Sequence, residues 1–221
     1  MALSKIYSVG LTGLDGCIIE TEADVATGLP AFDIVGLPDA AVKESKERVR
    51  SAISNTGFEF PLKKVTINLA PGDMKKEGPG FDLPIALSVL ITEGQIAAEN
   101  TEGYVFFGEL SLGGELRPVN GALPMVLSAK EKGKTKVVLP LANADEVSIV
   151  SGIEVYGAQR LTDVVNHLCG TAPLSPIKGD MEKFMAERLE TPLDFADVRG
   201  QGAVKRALEI AAAGGLNCFI V

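Results

Sequence analysis

Residues 70–90 read APGDMKKEGPGFDLPIALSVL, and the fold turns on what stands on either side of the glycines in that run. Ahead of them lies KVTINLA, residues 64–70, a short β-branched run whose pattern predicts a buried strand. After them the spacing predicts a helix, with Asp82 as its N-cap, Pro84 in the first turn, and apolar Ile85, Leu87, Val89 and Leu90 following. The loop between holds Pro71, Gly72, Gly78, Pro79 and Gly80, with the pair Lys75 and Lys76. Strand, glycine-rich loop, helix is an order in which backbone N–H groups gather at a helix start to meet an anion or an oxyanion. A tight turn that merely needs glycine has the same composition, so spacing alone leaves both readings open.

Composition narrows the setting. With 221 residues the chain can bury a large core, and 46% apolar against 23% charged residues is the balance of a water-soluble globular protein. A net charge of -8 excludes a surface that is basic all over, so nucleic acid could be met only by a local patch. The first residues lack the basic start, apolar run and small-residue cleavage site of a secretory leader, and no apolar run reaches spanning length. A cytoplasmic location and no membrane partner are therefore expected. Cys17, Cys169 and Cys218 form no CxxC pair, and His167 is the single histidine, so free thiols and no metal site are expected.

Upstream of the central run, SKIYSVGLTG and DGCIIETEADVATG predict a hairpin around Gly13 and Gly16, and AFDIVGLP predicts a third strand. Asp39 then caps a helix, AAVKESKERVRSAISNT, stopped by Gly57 and buried along Val42, Val49, Ala52 and Ile53. Its alternating charges, Arg48 among them, read as a solvated face. Downstream, GYVFFGEL and GELRPV predict a hairpin flanking Ser111–Gly114. ALPMVLSAKEKG (helix), KTKVVLP (strand), LANADEVSIV (helix), IEVYGA (strand) and LTDVVNHLC (helix, ended by Gly170) complete an alternation that predicts an α/β fold with a mixed sheet. Beyond Gly170, TAPLSPIKGD reads as a linker and EKFMAERLE as a short polar helix. The last stretch predicts a strong helix over Gln201–Ala213, stopped by Gly214 and Gly215, then a buried strand LNCFIV.

Three ordered blocks, GLPDAAVKESKERVRSAI, INLAPGDMKKEGPGFDLPIAL and FADVRGQGAVKRALEIAAAGG, resemble the N-terminal part of the ComM/YifB family, the magnesium-chelatase-like AAA+ ATPases. The resemblance covers essentially the whole chain. It implies a Lon-protease-like domain (the second-domain fold of ribosomal protein S5) over 1–170, a linker over 171–192, and the truncated beginning of an AAA+ P-loop module over 193–221. It also implies DNA processing, including branch-migrating helicase activity in competence, with ATP and Mg²⁺ as cofactors and a homo-oligomeric ring in the longer chain.

The Lon-like comparison can be taken residue by residue. Active Lon-type peptidases place a nucleophilic serine in a G-P-S-A-G turn and pair it with a lysine in a G-G-L-K segment. Here the first segment reads GPGFD and the second PVNGALPM, so the dyad positions are Gly80 and Leu123. Glycine has no oxygen to attack a carbonyl and leucine accepts no proton, so no catalytic residue and no peptidase activity are expected. In AAA+ proteins a D-x-x-G-Q segment lines the adenine pocket; the match here is Asp197 followed by Val198, Arg199, Gly200 and Gln201. The GxxxxGK[ST] loop expected after LNCFIV is not reached, so neither nucleotide nor Mg²⁺ is expected on this stretch by itself.

For the surviving loop the anion reading assigns Lys75, Lys76, Gly78 and Gly80 to a DNA phosphate or a neighbouring subunit's carboxylate, a weak, salt-dependent contact. Lys130, Lys132, Lys134 and Lys136 form a second cluster, and Lys63 with Lys64 a third. Each cluster taken alone reads as solvated surface charge sooner than as a binding site. The alternatives to a DNA-processing ATPase are a non-catalytic interaction or scaffold domain, a Lon-type peptidase, and a magnesium-chelatase-like subunit.

Overall fold

The computed structural model describes residues 4–179 and 194–220. They fall into two compact units, divided between Gly179 and Asp180.

The first unit opens with the expected hairpin, β1 (Ser4–Thr12) against β2 (Asp15–Ala26), joined through Gly13 in the left-handed region. β2 pairs antiparallel with β4 (Lys64–Ala70), and β4 pairs parallel with β3 (Ala31–Val35), giving the order β1-β2-β4-β3. Between the parallel strands β3 and β4 runs the crossover helix α1 (Ala40–Asn55), whose buried stripe is Val42, Ser45, Val49, Ala52 and Ile53. Asp39 caps it as expected: its Oδ1 accepts from Val42 N at 2.8 Å.

Next comes α2 (Asp82–Thr92), entered through a single 3-10 turn at Pro79–Phe81. DLPIALSVLIT has no polar face, and a helix apolar all round must be covered all round; every residue from Asp82 to Ile91 is buried. α1 and α2 pack on the four-stranded sheet, where Ile6, Ile19, Ile67, Leu69, Leu83 and Leu87 form the centre of the larger core. Asp82 is not the N-cap. It is the first helical residue, with Phe81 in the flanking position, and its side chain turns away from the helix start toward α1.

A second, wholly parallel sheet follows, in the order β5-β8-β9: β5 (Tyr104–Phe106), β8 (Lys136–Pro140) and β9 (Glu154–Ala158). Its smaller core includes Val105, Val137, Leu139 and Val155 under α3 (Ala122–Glu131) and α4 (Leu141–Val147). The hairpin expected from GYVFFGEL and GELRPV is reduced to two residue pairs, β6 (Glu109–Leu110) with β7 (Leu116–Arg117). Tyr104–Phe106 joins the parallel sheet instead, because its three residues are buried and pair with Lys136–Val138. α5 (Leu161–Leu168) closes the alternation and Gly170, at φ 73°, ends it.

The first unit does not stop at Gly170. Residues 171–179, expected as linker, lie along the edge of the parallel sheet. Ile177 N donates to Val155 O at 2.8 Å, Leu174 N donates to His167 Nδ1 at 3.0 Å, and Leu174 and Ile177 pack on the two cores. The rest of the expected linker, with EKFMAERLE, lies outside the described residues.

In the second unit a 3-10 turn at Phe195–Asp197 precedes α6 (Gly202–Gly214), ended by Gly215 in the left-handed region. LNCFIV forms no strand over 216–220, and Leu216, Phe219 and Ile220 are exposed. A strand needs a neighbour to satisfy its N–H and C=O groups, and among the described residues of this unit there is none.

Candidate functional site

The GPGFD turn is held from behind by a buried ion pair. Arg48 on α1 donates through Nε to Asp82 Oδ2 at 2.6 Å and through Nη2 to Oδ1 at 3.0 Å, while Ser45 Oγ also donates to Oδ1 and Leu110 N to Oδ2 at 3.1 Å. Burial pushes the Asp82 carboxyl up, against the pull of Arg48, Ser45 and the Leu110 N–H; the hydrogen bond to Asp82 raises Arg48. Arg48 is therefore no part of a solvated face. Through Asp82, which also accepts from Leu110 N, it ties α1, α2 and β6 together at one point.

Three further bonds fix the turn itself. Gly78 N donates to Asp39 Oδ2 at 3.1 Å, so one carboxylate both caps α1 and holds the glycine loop. Gly108 N donates to Gly80 O at 2.9 Å, and Leu83 N to Gly108 O at 3.1 Å. Across from the turn, Asn143 of α4 holds Val119 as a strand would: Val119 N donates to its Oδ1 and its Nδ2 donates to Val119 O, both at 2.9 Å. Gly121 can follow because it has no side chain; at φ 78°, a Cβ there would meet Leu11 Cδ1 at 2.6 Å.

Between these two walls, Glu77–Phe81 and Pro118–Asn120, lies a cleft of about 440 Å³, completed by Val9 and Leu11 of β1, Glu109 and Met125. Gly80 is on its surface. A Cβ built there would touch only Val119 Cγ1, at 3.8 Å, so the residue presents bare backbone to the cleft. Leu123 does not line it; its side chain packs on the smaller core. The two dyad positions of the Lon-like comparison thus hold neither a hydroxyl nor an amine, and only one of them faces the cleft.

The expected anion contacts are not assembled. Lys76 is wholly buried, and its ammonium donates to the carbonyls of Pro71 and, at 2.7 Å, Met74; burial pulls its pKa down. Lys75 is exposed and paired with Glu77 at 2.7 Å. The Gly78 N–H is taken by Asp39. Carboxylates of Glu77 and Glu109 line the cleft and, among the described residues, no lysine or arginine does, a field that repels phosphate.

The other lysine clusters are partly engaged as well. Lys134 Nζ stands 3.3 Å from the centre of the Tyr7 ring and Lys136 Nζ 4.9 Å from that of Tyr104, while Lys63 pairs with Glu93 at 3.6 Å. Lys64, Lys130 and Lys132 are exposed.

Val198, Arg199, Gly200 and Gln201 lie in the second unit, exposed, with Gly200 and Gln201 both left-handed ahead of α6. Val198 offers an apolar side chain, and its carbonyl accepts from Lys205 Nζ. Among the described residues there is no group of three or more His, Cys, Asp or Glu placed to hold a metal ion, and no helix is long and apolar enough to cross a membrane.

Asn143, Glu109 and the second role of Asp39 escaped sequence reasoning. Asp39 was legible as a helix cap, but nothing local marks its other oxygen as the partner of Gly78.

Residues 21–143 match the family described as subunit ChlI of Mg-chelatase. The chain is 42% identical over 223 residues to the competence protein ComM of Haemophilus influenzae, an alignment covering 100% of this chain and 43% of that protein. It is 40% identical over 224 residues to YifB of Salmonella typhimurium, with the same coverage of 100% and 43%. Lon protease 2 of Bacillus subtilis is similar at 24% over 175 residues, 72% of this chain and 31% of the protease, which supports a Lon-like relationship. The chain belongs to the ComM/YifB family of magnesium-chelatase-like proteins, and it spans 43% of the length of these ComM and YifB relatives.

Proposed function

We propose that this chain is part of a magnesium-chelatase-like AAA+ ATPase that processes DNA, of the branch-migrating helicase kind that serves competence, and that its first unit is a Lon-like interaction domain without peptidase chemistry. The observation that carries the second half is Gly80: bare backbone stands on the surface of a preformed cleft, where the Lon-like comparison requires a nucleophile. The first half is supported by the name of the Haemophilus relative, a competence protein, and by the D-x-x-G-Q segment at Asp197–Gln201.

In this reading ATP and Mg²⁺ act in the longer protein, with Val198–Gln201 contributing to the adenine side. The working assembly is a ring of identical subunits in the cytoplasm. DNA contact by the first unit is weak and electrostatic, since of Lys75, Lys76, Gly78 and Gly80 only Lys75 keeps a charged group in solvent.

The test uses the longer protein and measures ATP turnover with and without branched DNA, alongside peptide hydrolysis. DNA-stimulated ATP turnover with no peptide hydrolysis is expected. ATP turnover that branched DNA leaves unchanged, together with peptide hydrolysis, would overturn the reading.

A further inference from the structure

The cleft between Glu77–Phe81 and Pro118–Asn120 is shaped by more long-range bonds than a surface turn requires, yet among the described residues it holds no reactive group and its charge is wrong for phosphate. Its chemistry selects a different ligand. The floor is apolar, from Leu11, Phe81, Val119 and Met125, and among the described residues the charged lining groups are the carboxylates of Glu77 and Glu109. Gly78, Pro79 and Gly80 put little side-chain height along one wall, so another main chain can come close. At about 440 Å³ the cleft has room for a few side chains.

We propose that this cleft binds an extended peptide segment of another polypeptide, seating an apolar side chain among Phe81, Val119 and Met125 and setting a neighbouring lysine or arginine against Glu77 and Glu109. The proposal rests on reading the first unit as an interaction domain, and it names the partner's chemistry. Both carboxylates already have cationic neighbours, Lys75 at 2.7 Å and Arg117 at 3.4 Å, and the three side chains other than Glu109 are more than half exposed. Such solvated pairs contribute little, so an incoming cation that brings its own apolar anchor can replace either partner. The apolar seat supplies affinity, and the acidic rim supplies selectivity.

Fluorescence anisotropy of the full chain tests this with a labelled peptide, Gly-Ser-Leu-Arg-Leu-Ser-Gly. One control replaces the arginine by glutamate, and the other replaces both leucines by serine. The arginine peptide is expected to bind at least about tenfold more tightly than either control. Gly80→Phe, whose side chain fills the cleft from a backbone that is not left-handed, abolishes binding. The double variant Glu77→Lys with Glu109→Lys inverts the preference toward the glutamate peptide, a gain that unfolding cannot imitate.

No anisotropy change with any peptide, equal binding of all three, binding unaltered by Gly80→Phe in a folded sample, or displacement of the peptide by a short thymidine oligonucleotide would each overturn the proposal. Should circular dichroism show Gly80→Phe unfolded, the charge-reversed variant decides alone. ATP turnover by the longer protein is read separately, so loss of this proposal and loss of the DNA-processing reading leave different results.

Discussion

Two junctions in this chain are written in the same grammar and built differently. Gly78–Asp82 leads into α2, and Gly200–Gln201 leads into α6; each places glycine just before a helix with an apolar run behind it. The first is held by Asp39, Gly108 and the Arg48–Asp82 pair, and its helix is buried from Asp82 to Ile91. The second is exposed, with no fully buried residue in its helix. A glycine turn becomes a rigid wall only where distant residues supply its partners. Those partners, rather than the glycines, separate a site from a loop.

Breaking the strongest of them should show the contrast at its largest. Arg48→Met leaves the Asp82 carboxylate buried without its cation, and the first unit is expected to lose about 3 kcal/mol of unfolding free energy. Urea titration followed by far-ultraviolet circular dichroism measures it, since the chain has no Trp to report by fluorescence. The matching change on the other side, Arg206→Met, removes only the exposed pair with Glu209 and should move nothing.

The opposite wall of the cleft gives a smaller effect. Asn143→Ala strands the N–H and C=O of Val119, at an expected cost of about 2 kcal/mol. The same titration checks it, and the variant should also weaken the arginine peptide. Asp39→Ala removes the cap of α1 and the Gly78 bond together, for about 1 kcal/mol in the same measurement.

The smallest expected effect concerns pH. His167 accepts from Leu174 N on Nδ1, which leaves the proton on Nε2 to be donated to Tyr104 Oη at 3.0 Å. Burial, and then the charge of Lys136, hold its pKa below the ordinary value. A depressed folded pKa means that the unfolded chain binds the proton first. The contribution is complete above about 6.5, the ordinary histidine value, and is lost as pH falls through the folded pKa. Unfolding free energy measured between pH 7 and pH 5 should fall with pH, and the His167→Gln variant should lack that part of the slope.

Much of the first unit could be read from sequence because its signals are local. The β1–β2 hairpin, β4 at Lys64–Ala70, and α1 with its Asp39 cap each follow from periodicity and adjacent residue types. What could not be read depends on residues far apart. Asp82 before an apolar run looks like a cap, and only the arginine 34 positions earlier shows it to be an ion-pair partner. Lys76 beside Lys75 looks like surface charge, and only the fold of the loop turns it inward onto the Pro71 and Met74 carbonyls. Proline and serine made residues 171–179 look like linker, although Ile177 pairs with Val155. The apolar run at 216–220 looks like a strand, but periodicity cannot say whether a neighbour is present to pair with it.

The first unit keeps a shaped cleft at the turn equivalent to the Lon-type serine turn, and among the described residues no nucleophile lines it. Hydrolysis of fluorescent casein by the full chain, run beside Ser88→Ala and Ser111→Ala, tests it most directly. Both hydroxyls are already engaged: Ser88 Oγ donates to Ile85 O at 2.8 Å in a buried bond, and Ser111 Oγ accepts from Glu115 N at 3.0 Å in a partly buried one. No turnover above buffer is expected in any of the three proteins. Turnover that follows the wild-type chain through purification and disappears in either serine variant would contradict it.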